Sequence, residues 1–94
     1  MIQKIQVGTT ATLVSVAKER NWLMLQNQSD VPVFLSFEGS SDVTTDSGSK
    51  PGIRLAPFEV ISSDDAAGRF TGNTLPIYAV HGGAGDKIVV LHEA

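Results

Sequence analysis

Residues 20–37 read RNWLMLQNQSDVPVFLSF, and no other stretch restricts the fold as much. It holds two apolar runs, Trp22-Leu23-Met24-Leu25 and Val33-Phe34-Leu35-Ser36-Phe37, parted by the polar Asn27-Gln28-Ser29-Asp30. Side chains alternate between the two faces of a strand. Leu23 and Leu25 therefore oppose Trp22 and Met24, and Val33, Leu35 and Phe37 oppose Phe34. The last apolar run repeats the arrangement, with Ile88 and Val90 opposed to Val89 and Leu91. A sheet with one wet face should be polar on that face. Here both faces carry apolar residues, so the second face needs a cover. Either the long loops fold back over it, or a neighbouring subunit does.

The rest of the chain is also strand-like. Only 16–20 offers a helical turn, too short to stand alone. β-Branched and aromatic clusters bounded by Gly, Pro, Asn, Asp and Ser predict strands at 11–16, 22–27, 31–37, 53–55, 58–61, 77–80 and 87–92. A further short one is expected at 43–45 or 69–70. Seven to eight short strands in 94 residues predict a single all-β domain, an antiparallel β-sandwich or small β-barrel. Short connections predict that sequence neighbours pair. Residues 22–37 then form a hairpin about the Asn27–Asp30 turn, and 77–92 a second about Gly82-Gly83-Ala84-Gly85. Residues 1–8 are left as an N-terminal arm. Segments 38–52 and 62–76 are long, polar connections, rich in Ser, Gly, Thr and Asp and so poor covers for an apolar face.

Composition excludes several classes of function. There is no cysteine, hence no disulfide framework or thiolate metal site. A net charge of −3 with dispersed Lys and Arg argues against nucleic acid as partner. No apolar run approaches the ~18 residues of a membrane span, and MIQKIQ lacks a signal-peptide core, so synthesis in a cytoplasm is expected. A domain of this size buries about 60–65% of its unfolded surface, which leaves room for stabilisation by a second subunit.

Catalytic and ligand chemistry is thin. His81 precedes a Gly-rich turn, and His92 beside Glu93 reads as a surface pair, short of the three or four ligands zinc needs. Asp42, Asp46, Asp64 and Asp65 can supply oxygen ligands to Ca²⁺, but without EF-hand spacing they read as solvated loop acids. No G-x-S-x-G elbow is present. Gly82–Gly85 lacks the Lys-Ser/Thr and the helix of a phosphate loop. No enzyme and no cofactor is expected. Trp22 and Tyr78, the sole Trp and Tyr, can act as sugar-stacking platforms, although the apolar neighbours of Trp22 fit a core or an interface. Trp22, Met24 and Phe34 are the candidate interface.

Arg20, Trp22-Leu23, Met24-Leu25-Gln26-Asn27 and Ser29 are followed by Val33-Phe34-Leu35-Ser36-Phe37. Gly52-Ile53, Leu55, Pro57 and Glu59 come next, then Ile77-Tyr78-Ala79-Val80, then Val89-Val90-Leu91-His92-Glu93. This order resembles small virion proteins of tailed bacteriophages: head-decoration (cement) proteins and related capsid spike or fibre-base proteins. The likeness spans about three-quarters of the chain and rests on short structural motifs. It implies a homotrimer bound to the major capsid protein on the outer surface of the virion, stabilising the shell. It carries no catalytic residues and fixes no docking surface, though by analogy residues 1–8 are a candidate shell contact. The alternative, from another class, is a carbohydrate- or receptor-binding module on a virion tail or cell surface.

Overall fold

The computed structural model describes residues 2–19, 22–37, 39–62 and 75–93. It is all-β, with eight strands: β1 (Ile2–Val7), β2 (Thr12–Ser15), β3 (Leu23–Asn27), β4 (Val33–Ser36), β5 (Ile53–Leu55), β6 (Val60–Ser62), β7 (Ile77–His81) and β8 (Lys87–Glu93). They form two four-stranded antiparallel sheets, A in the order β1-β8-β3-β6 and B in the order β2-β7-β4-β5. The two sheets pack face to face as a β-sandwich. The pairs β1·β8, β2·β7, β3·β6 and β4·β5 nest inside one another, as in a long hairpin rolled into two layers. This is jelly-roll connectivity.

Alternation decides which side chains fill the middle. Leu23 and Leu25 of β3, with Val89 and Leu91 of β8, point inward from sheet A and are fully buried. Val33 and Leu35 of β4, with Ile77 and Ala79 of β7, meet them from sheet B. At roughly 25 cal/mol per Å² of apolar surface, this layer is the main stabilising term.

Pairing partners differ from the sequence expectation. The strands of 22–37 do not form a hairpin: β3 lies in sheet A and β4 in sheet B. Asn27 holds the corner between them. Its buried amide donates to Val31 O at 2.8 Å, and its Oδ1 accepts from the Ser29 N–H at 3.1 Å and from Ser29 Oγ at 2.7 Å. These bonds carry the chain across the gap of about 10 Å between the sheets. Residues 77–92 behave alike, with β7 in sheet B and β8 in sheet A. Among the described strands only β4 and β5 are sequence neighbours that pair. Ile2–Val7, the expected arm, is instead edge strand β1, paired with β8 along its length. The extra strand expected at 43–45 is reduced to a single bridge, Thr44 to Pro51, and 69–70 lies outside the described residues.

Candidate functional site

The outer face of sheet B is covered by the chain itself. Phe34 on β4 and Val80 on β7 are buried beneath Val43 of the 39–52 loop, with Ala11 and Tyr78 packed at the margin. Phe34 is only 4% exposed. The loop closes through Thr44 N–H to Lys50 O at 2.8 Å and Gly52 N–H to Thr44 O at 2.9 Å. Two glycines permit this approach. A Cβ on Gly52 would stand 2.9 Å from the Leu35 backbone N and O, and one on Gly48 would strike Thr44. Lys50 binds Asp42 at 2.6 Å and holds that carboxyl below the usual carboxylate range. A polar loop with one well-placed valine is thus an adequate cover, contrary to the compositional argument.

Two shallow grooves flank this loop. One, of about 430 Å³, has hydroxyl walls including Thr9, Thr10 and Thr44 with Asp42, over a floor of Val43 and Val80. The other, of about 400 Å³, runs between Pro32, Phe34, Asp46 and Gly83.

The outer face of sheet A is different. The register sets Ile2, His92, Met24 and Ser62 in one row and Lys4, Val90, Gln26 and Val60 in the next. Ile2 is 68% exposed and Val60 42%, while Met24 and His92 are half-buried. Phe58 sits at the end of this surface, 64% exposed. Its carbonyl accepts from Gln26 Nε2 at 3.5 Å. The Phe58 turn is firmly built: Glu59 N–H donates to Ala56 O at 3.0 Å, and Ala56 N–H donates to Glu59 Oε1 at 2.8 Å. Pro57 presets the second position of the turn, which places Phe58 in the third with φ +63°. That position in a type II turn favours glycine. A bulky residue there costs about 1–2 kcal/mol.

The three candidate interface residues do not meet on one surface. Met24 lies on sheet A, Trp22 is half-buried just ahead of β3, and Phe34 is enclosed on sheet B. Ile2 and Phe58, the most exposed large apolar residues among those described, escaped the sequence reading. Ile2 stood in the supposed arm and Phe58 in a supposed strand. The Ala56-Pro57-Phe58-Glu59 order was the available signal for the turn.

The titratable groups are dispersed. His81 is fully buried on the core side of β7, where Nδ1 accepts from the Gly83 N–H at 3.1 Å. Glu93 is not paired with His92 at the surface. It turns inward, accepts from Ser15 Oγ at 3.1 Å and forms an ion pair with Lys18. Among the described residues no group of three His, Cys, Asp or Glu is placed to hold a metal ion; Asp64 and Asp65 lie outside them. Gly82–Gly85 leads into strand β8 rather than a helix, so its amides have no helix N-terminus behind them. No protein-family model, curated protein or solved structure matches this chain.

Proposed function

We propose that this protein is a structural virion component that self-associates and docks on the outer surface of a capsid to stabilise it. One observation carries the reading: Phe58 is held exposed, at a positive φ that favours glycine, beside an outer face of sheet A on which exposed Ile2 and Val60 alternate with Lys4, Gln26, Ser62 and His92. Backbone strain kept under an exposed aromatic side chain is stability forgone for contact. Among the described residues a loop covers the outer face of sheet B and none covers that of sheet A, which turns the reading toward sheet A. Many weak copies on a symmetric lattice act together, so each needs only a modest patch. The motif resemblance gives the capsid as the lattice, and jelly rolls recur in capsid proteins.

The test is pelleting with capsids assembled from the major capsid protein of the same genome. The protein should sediment with them, and Phe58→Ser should reduce the bound fraction about tenfold or more, the effect of a hot-spot residue. Wild-type protein left in the supernatant overturns the reading.

A second reading rests on the groove beside the 39–52 loop. Hydroxyls of Thr9 and Thr10 and the Asp42 carboxylate, paired with Lys50, over an apolar floor suit a sugar, and jelly rolls also recur in lectins. A glycan array showing binding that Asp42→Ala abolishes would favour it.

A further inference from the structure

Each sheet ends in two edge strands: β1 and β6 in sheet A, β2 and β5 in sheet B. Open edges are ordinarily blunted by shortness, bulges, proline or charged side chains, lysine above all. Three of these are. β5 and β6 have three residues each, Pro51 and Pro57 bracket β5, and the pairing of β2 is interrupted by a register shift between Leu13 and Ser15. β1 has six residues, an unbroken register and no proline, and its one charge is Lys4.

The hydrogen bonds show which way the β1 peptide groups point. Gln28 N–H donates to Ile88 O at 3.0 Å, so Ile88, Val90 and His92 turn their peptide groups toward β3. Lys87, Val89 and Leu91 then turn theirs toward β1, where they meet Val7, Ile5 and Gln3. The N–H and C=O groups of Ile2, Lys4 and Gln6 are left facing the open edge.

We propose that this edge pairs antiparallel with β1 of a second copy of the chain, joining two sheets A into one eight-stranded sheet. This rests on the self-association in the function proposed above. A two-fold axis normal to the sheet keeps each residue on its own face, so outward-facing residues must oppose outward-facing ones. Two registers overlap most of the strand. One sets Lys4 against Lys4, and like charges directly opposite are destabilising. The other sets Lys4 against Gln6, twice by symmetry, and each such pair exchanges two main-chain hydrogen bonds. This second register also places Ile5 against Ile5 on the core side, where Ile5 is half-buried against the core of its own chain. Charge agrees as well. The Asp86 carboxylate stands beside Gly8, where a Cβ would lie 3.7 Å from Oδ1. Thr12 Oγ1 lies on the same side of Gly8, 3.6 Å from that Cβ position, and in this register Lys4 of the second copy lies toward the Gly8 end of the strand, the end nearer Asp86.

The test uses Gln6→Pro, which removes an outward N–H and no bond to β8; proline is tolerated at such edge positions. Sedimentation at high micromolar concentration should show a dimer for wild type and for Gln6→Ala, and a monomer for Gln6→Pro with the same circular dichroism. A monomeric wild type overturns both this pairing and the self-association it rests on. An oligomer unchanged by Gln6→Pro overturns the β1 pairing alone. So does a trimer, which two-fold pairing cannot build.

Discussion

The side-chain amide of Asn27 donates to the carbonyl of Leu55 at 3.1 Å, joining the crossover that leaves β3 to the one that leaves β5. The same nitrogen reaches Ala56 O at 3.2 Å as well as Val31 O. A single fully buried side chain thus ties two of the corners where the chain changes sheets. Asn27→Ala strips these carbonyls of their donor and should cost about 3 kcal/mol, read from the urea midpoint. Asn27→Asp should cost more at neutral pH, because a carboxylate then faces carbonyl oxygens, and part of that loss should return in acid. A loss within 0.5 kcal/mol of wild type, the usual effect of a surface substitution, would show that the corners hold without this residue.

Val43 is the cover of Phe34, so Val43→Ala should cost about 1.5 kcal/mol through the two methyl groups removed. Gly52→Ala should cost at least as much, since its Cβ would meet the backbone of Leu35, which cannot swing aside as a side chain would. Hydrogen exchange in 39–52 should rise in both variants, and an unchanged loop would contradict the packing described.

Phe58→Gly should stabilise the isolated protein by about 0.5–1 kcal/mol. The relief of the positive φ exceeds the extra chain entropy of glycine. Binding to capsids should weaken in the same variant. A lower melting temperature would mean that the ring, though exposed, holds the turn.

Lys87 Nζ lies 3.2 Å from Asp30 Oδ1 and holds the Asp30 carboxyl below its ordinary range, mainly by that hydrogen bond. Asp42 is lowered in the same way by Lys50. With the folded value depressed, each pair's small contribution is complete above the ordinary carboxylate titration and is lost as pH falls through the depressed value. Carboxyl NMR titrations should show Lys87→Met returning Asp30 toward normal while Asp42 stays put, and Lys50→Met doing the reverse.

Most strand positions were legible in the sequence because alternation is local. Leu23, Leu25, Val33 and Leu35 are inward wherever their strands pair. β1 was missed because an edge strand needs little apolar alternation, and Gln3, Lys4 and Gln6 hide it. Cover of the second face by a long loop was one of the two alternatives left open, and composition told against it because it averages a loop in which one residue, Val43, supplies the apolar contact to Phe34. Phe58 was missed because its interest lies in a backbone angle that only the folded turn displays.

By itself, then, the sequence determined the all-β class, the approximate strands and the inward side chains, since a pleated chain alternates whatever its neighbours. Which strands became neighbours was decided only by the tertiary structure. Hydrogen bonding along a strand edge is the same for any partner. The choice fell to nonlocal contacts, with Asn27 binding Leu55 and Ala56 across the corners and two inner faces needing to be buried at once.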